Sequence, residues 1–107
     1  MYSEKLKLLI DGNWCTGSEG ASEPLINPAT EETLGILPHA SKADLDRALS
    51  AVERAFPVWS AMTAMQRWSI MNKAADLIEQ RKPEIARTLT LENGKPLAEA
   101  LGEVQFA

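Results

Sequence analysis

The sequence predicts two short β-hairpins in series followed by about four amphipathic α-helices. Three observations predict it. Apolar residues alternate in the first ten positions and recur at helical spacing after residue 41. The turn signals Asp11-Gly12 and Asn27-Pro28 both fall in the first part of the chain. Ser41 and Thr63 each stand three residues before an acidic or amide side chain, the spacing of a helix-opening capping box. Isolated hairpins are marginal in water. Strands followed by helices therefore suit a layer that packs on a larger sheet elsewhere in a chain.

Each element has a local reason. Leu6, Leu8 and Ile10 alternate with Lys5, Lys7 and Leu9, and Asp11-Gly12 is the signature of a two-residue type I′ turn. Asn13 to Cys15 is then the returning strand. Thr16 to Ser22 is a loop by composition. Glu23 to Ile26 and Thr33 to Leu37 make the second hairpin around an Asn27 Asx turn, and Pro38 ends it. Leu45, Ala48, Leu49, Val52, Ala55 and Phe56 form the apolar stripe of a first helix, which should end near Pro57. Ile70, Met71, Ala74, Leu77 and Ile78 form that of a second. Pro83 suits the first position of a third helix, whose buried face is Ile85, Ala86 and Leu89 and whose stop is Asn93-Gly94. Pro96 opens a fourth, with Leu97, Ala100, Leu101 and Val104 continuing its stripe toward Ala107. No capping glycine or polar tail closes that stripe, so the expectation is a domain cut at Ala107.

Composition narrows the function classes. Eleven Lys and Arg against 15 Asp and Glu give a net charge of −4 in 107 residues, which argues against a nucleic-acid binder. No apolar run approaches a membrane span, and the polar start Met1 to Lys5 is no signal peptide, so the expected location is the cytoplasm. The single cysteine, Cys15, excludes an internal disulfide and a cysteine-based zinc cluster. Cys15 lies on a short strand without an activating helix N-terminus, which makes it a structural cysteine. His39 has no neighbouring Cys, Asp or His and reads as a loop histidine. Glu99 and Glu103 share one helix face, opposite its apolar stripe, and read as a solvated or partner-facing pair. Trp14, Trp59 and Trp68 read as packing residues. The six glycines include no G-x-G pair, and no glycine lies five residues before Gly94-Lys95, so neither a dinucleotide fingerprint nor a P-loop is present. No catalytic constellation and no cofactor-binding residue is assigned to this segment. Two readings stay open on these grounds: part of a larger enzyme, or a stand-alone α+β interaction protein without catalysis.

An ordered set of motifs adds a resemblance. Leu8-Leu9-Ile10-Asp11-Gly12-Asn13-Trp14 resembles the opening strand-turn of the NAD(P)-dependent aldehyde dehydrogenase superfamily. Ile26-Asn27-Pro28-Ala29-Thr30-Glu31-Glu32 is similar to its "NPATGE" turn, and Ala55-Phe56-Pro57-Val58-Trp59 to its "AFPAW" helix end. Ala75-Asp76-Leu77-Ile78-Glu79 is similar to its second helix. Leu89 to Ala100 is similar to its "ETLENGKPLAEA" segment, with a succinate-semialdehyde dehydrogenase flavour. The resemblance implies an α/β parent enzyme, with residues 1–107 as the N-terminal part of its Rossmann-like cofactor-binding domain. It implies oxidation of a small aldehyde, succinate semialdehyde by flavour, with NAD or NADP, through a cysteine thioester formed by residues beyond this segment. Cys15 does not match that nucleophile. A homodimeric or homotetrameric parent is implied, as is a structural Na⁺ or K⁺ on the backbone carbonyls of Leu25 and Ile26 and the carboxylate of Glu92. The family often has Asp at the last position, and the alternative there is a Glu92 that stays solvated near the helix end.

Overall fold

The computed structural model describes residues 6–107. The polar start Met1 to Lys5, with the first place in the Leu6 alternation, lies outside the described residues. The chain divides into two units, one ending at Met62 and one beginning at Thr63, except that the hairpin turn Ile26–Glu32 belongs with the second.

In the first unit, β1 (Leu8–Ile10) and β2 (Asn13–Cys15) pair antiparallel, with Leu8 opposite Cys15, Leu9 opposite Trp14 and Ile10 opposite Asn13. Asp11 and Gly12 have φ of 51° and 74°, the two positive angles a type I′ turn requires. Leu6, Leu8 and Ile10 are half-buried and Leu9 is exposed, so the alternation read from sequence is the alternation of faces. β3 (Ser22–Ile26) and β4 (Thr33–Pro38) form a second two-stranded sheet. The strand thus includes Pro38, and the His39 amide extends the pairing by donating to Ala21 O at 2.8 Å.

The helix α1 (Lys42–Ala61) opens on the Ser41 capping box, with both reciprocal bonds to Asp44 in place. It passes through Pro57 rather than ending there. A proline removes its own N–H and crowds the preceding turn, but it leaves the amides that follow it free to bond. Ser60 Oγ donates to Pro57 O at 3.2 Å, and the Met62 amide closes the end on Trp59 O at 3.2 Å. The buried face of α1 is also not the expected one. It runs through Asp44, Ala48 and Ala51, while Leu45, Leu49, Val52 and Phe56 face outward. Small side chains on the inner face let the helix approach β1, which it contacts.

In the second unit, α2 (Ala64–Asn93) is one continuous helix of 30 residues. The predicted second and third helices are therefore a single element, and the helices among the described residues number three instead of four. Pro83 lies inside α2, not at a helix start. The expected N1 role fails because no residue before Pro83 acts as a cap, whereas Thr63 and Gln66 form the true capping box with bonds of 2.8 and 3.3 Å. Gly94 ends α2 in the left-handed conformation (φ 79°), as predicted. The chain then reverses into α3 (Leu97–Phe106), which packs on the C-terminal half of α2 around Ala86, Ala100 and Val104, flanked by Leu89 and Leu101. Lys82 of α2 bonds Gln105 of α3 at the rim, and Lys95 in the connection bonds Glu103 of α3. No helix among the described residues is long and apolar enough to cross a membrane.

Candidate functional site

The most heavily bonded polar centre of the first unit is Asp44. Its side chain is fully buried. Oδ2 accepts from the Ser18 amide at 2.8 Å and the Ser41 amide at 2.9 Å, and from the hydroxyls of Ser18 and Ser41 at 3.1 and 3.0 Å. Oδ1 accepts from Arg47 Nη2 at 2.6 Å. The two backbone amides of Ser18 and Ser41 hold the Asp44 carboxyl well below the usual carboxylate range, against the opposing effect of burial. Sequence spacing reveals the half of this cluster that is local, the capping box. Ser18 lies 26 residues away in a loop, and no local pattern announces it. The arrangement satisfies a buried charge and ties the loop to the helix start. Buried as it is, the carboxylate has no surface open to a substrate.

Beside it lies an open cleft of about 540 Å³, lined by Cys15, Asp11, Asn13, Ser50, Arg47 and Arg54 among others. Cys15 is half-buried on β2. Both guanidinium groups are already paired, Arg54 with Asp11 at 2.8 Å and Arg47 with Asp44. Cys15 has no helix N-terminus behind it, and its strand position is that of a packing residue. His39 lies at the end of β4 with Nε2 3.6 Å from Glu23 Oε1, both side chains about half exposed. Its carbonyl abuts Gly17, where a Cβ would stand 1.8 Å from His39 O. That close approach is the reason a glycine is needed at 17. The Glu99–Glu103 pair is divided in its roles: Glu103 is bonded to Lys95, and Glu99 occupies the first turn of α3, where it complements the helix dipole. Trp14, Trp59 and Trp68 are exposed, so of the two kinds of packing expected for them, core or interface, the core is not where they lie.

The three residues expected to hold a cation are placed as follows. Leu25 is half-buried in β3 and belongs to the first unit, whereas Ile26 and Glu92 belong to the second. Within the second unit the turn that follows Ile26 is well defined. Asn27 is buried, its Oδ1 accepts from the Ala29 amide at 2.9 Å, and its own amide donates to Glu32 O at 2.9 Å. Glu31 takes a positive φ of 61° to close it. Pro28 Cγ would lie 3.0 Å from a Cβ on Gly94, so this turn is seated on the C-terminal end of α2. Glu92 is in the last turn of that helix, and Thr90 Oγ1 in the same turn is buried without a hydrogen-bond partner. Among the described residues no cluster of three His, Cys, Asp or Glu could hold a metal.

Comparison with known proteins extends this local picture. The sequence profile of the Aldehyde dehydrogenase family matches residues 14–107. The chain is 39% identical over 98 residues to the glutarate-semialdehyde dehydrogenase of Pseudomonas aeruginosa, covering 92% of this chain and 20% of that protein. It is 45% identical over 101 residues to the malonate-semialdehyde dehydrogenase of Listeria monocytogenes, covering 94% and 21%. The structure superposes on that of succinate-semialdehyde dehydrogenase from Burkholderia pseudomallei with a TM-score of 0.92 and 35% identity, over 95% of this chain and 21% of that one. The chain thus spans about a fifth of the length of the curated relatives it matches.

Proposed function

The chain belongs to the aldehyde dehydrogenase family, and from that premise we propose that it is the N-terminal part of an enzyme that oxidises a semialdehyde to the carboxylic acid with NAD⁺ or NADP⁺. The observation that carries the reading is the family match from residue 14 to residue 107. Succinate semialdehyde is the substrate we favour. The wording of Leu89 to Val104 supports it, and the relatives' names support the wider class of aldehydes that also bear a carboxyl group.

The nicotinamide would accept the hydride of the aldehyde carbon. The described residues do not fit a site for it: the glycines lack dinucleotide spacing, and no glycine-rich turn joins a strand to a helix. No step of the oxidation is assigned to this segment, and Cys15 is not its nucleophile. The role proposed here is structural, a part of the cofactor-binding domain's outer layer. The cation belongs to the same reading, with the carbonyls of Leu25 and Ile26 and the carboxylate of Glu92 as ligands. Their all-oxygen chemistry suits a hard ion, and the orphaned Thr90 hydroxyl in the last turn of α2 marks a polar position there that lacks a protein partner.

The intact mass of the native polypeptide tests the reading first. A mass several times 11.7 kDa, with NAD⁺- or NADP⁺-dependent oxidation of succinate, glutarate or malonate semialdehyde, supports it. A native mass of 11.7 kDa ends it. The cation is tested on that full protein by exchanging choline chloride for KCl or NaCl at equal ionic strength. The thermal midpoint should rise in the metal salts, and Glu92→Gln should remove the rise.

A further inference from the structure

Two dipeptides of this chain, Asp11-Gly12 and Asn93-Gly94, carry the same latent chemistry. In each, the glycine nitrogen can close a succinimide ring on the side-chain carbonyl carbon before it, because glycine has no side chain to obstruct the approach. In an unfolded chain the Asn-Gly pair reacts faster, since an amide loses ammonia more readily than a carboxylate loses water. Both pairs are exposed, so exposure does not choose between them. Hydrogen bonding does. The Gly94 amide is committed to Thr90 O at 2.9 Å as the cap of α2, and Pro28 Cγ lies 3.0 Å from where a Cβ on Gly94 would stand. The Gly12 amide lies in the two-residue loop between the paired residues Ile10 and Asn13 and takes no part in their pairing. A Cβ on Gly12 would meet nothing within 4 Å.

We propose that Asp11 is a site of spontaneous covalent modification, isomerising to isoaspartate through a succinimide with Gly12, while the end of α2 holds the chemically faster Asn93-Gly94 pair unreactive. The Gly12 nitrogen bonds to Asp11 Cγ, and one carboxyl oxygen leaves as water with the Gly12 amide proton and the acid proton. Water then adds to the ring carbonyl that was the Asp11 backbone carbonyl, and the bond from that carbon to nitrogen breaks. The chain now runs through the side-chain carbon, the old backbone carbonyl is a free carboxyl, and no electrons are gained or lost. Two bonds restrain the closing step. Arg54 Nη2 holds Asp11 Oδ2 at 2.8 Å, and Asn13 Nδ2 donates to Asp11 O at 2.9 Å. Both are exposed, and the ion pair, with side chains 63% and 61% accessible, slows the reaction without preventing it. The product carries an extra methylene in the main chain of a two-residue turn. It therefore upsets the Ile10–Asn13 register and releases the hairpin tip from Arg54 of α1.

The test ages the 107-residue chain at pH 7 and 37 °C for weeks, once in buffer and once in concentrated guanidinium chloride. Both sites are followed by peptide mass and by methyl transfer from S-adenosylmethionine with an isoaspartate-specific carboxyl methyltransferase. In buffer, the peptide between Lys7 and Lys42, whose one aspartate is Asp11, should gain a second chromatographic form of unchanged mass that accepts methyl groups. The peptide carrying Asn93 should keep its amide. In guanidinium chloride the order should reverse. Asp11→Asn gives both positions the same Asn-Gly chemistry, so the fold alone sets their rates. In buffer, position 11 of that variant should deamidate at least tenfold faster than Asn93. Arg54→Gln in the parent chain should speed isomerisation at Asp11 by about two- to fivefold, the most an exposed ion pair supplies. The proposal is overturned if Asn93 reacts before Asp11 in buffer, if the order is the same with and without denaturant, or if the Asp11→Asn ratio is less than tenfold.

Discussion

Asp44 carries its charge inside a shell of backbone amides, hydroxyls and one guanidinium. Its folded carboxyl titrates below the ordinary value of 3.8, so the stabilisation it provides is complete above that value and is lost as pH falls through the lower, folded one. Asp44→Asn should therefore lower the urea midpoint at pH 7. The difference between variant and parent should shrink only below about pH 4, as the parent's carboxylate takes up its proton. A gap that already closes between pH 7 and pH 5, followed by helical circular dichroism, would contradict this assignment. Gly17 offers a second test. A methyl group there meets a backbone carbonyl that cannot rotate away. Gly17→Ala should cost about 1–3 kcal/mol, the usual range for overpacking, as read from the same midpoint.

Helix ends were legible in the sequence and helix interiors were not. Ser41, Thr63 and Gly94 each announce a terminus through their own backbone chemistry, and each performs it in the structure. The two prolines misled because a proline's steric demand is local to the turn before it. Pro57 and Pro83 therefore stand inside α1 and α2 without ending either helix. The buried face of α1 was misread for another reason: periodicity locates an apolar stripe but does not say what lies against it. The hairpin takes the adjacent face of alanines and Asp44. Next to the expected cation ligands Leu25 and Ile26, the Asn27 turn was legible through its Asx chemistry. The seating of Pro28 on Gly94 joins residues 66 positions apart and had no local signal. Two glycine substitutions follow at this scale. Gly94→Ala should lower stability by about 1–2 kcal/mol, because its φ of 79° is left-handed and Pro28 crowds the added carbon. Gly102→Ala, inside α3 with open space around it, should raise stability by up to about 1 kcal/mol. Thermal midpoints of the two variants should move in opposite directions.

For the molecule as a whole, the apolar stripes of the helices were legible from their spacing, and the structure displays Leu45, Leu49, Val52 and Phe56 of α1 and Ile70 and Met71 of α2 exposed. Periodicity finds such a stripe but carries no information on what would lie against it. The prediction at this scale is that the chain binds a hydrophobic dye such as ANS strongly, and that Val52→Asp combined with Met71→Asp lowers that fluorescence. Fluorescence no higher than that of a well-packed globular protein would contradict it.

The two stripes also set a timetable. In the relatives about 400 residues lie outside the part this chain matches, and a ribosome adding 5–20 residues per second needs about 20–80 seconds to make them. The α2–α3 hairpin, whose contacts are close in sequence, forms within milliseconds of emerging. An N-terminal segment would therefore wait on the ribosome already helical, with its apolar faces bare for most of a minute. During that interval such bare apolar faces would be open to chaperones and to non-native contacts with neighbouring chains.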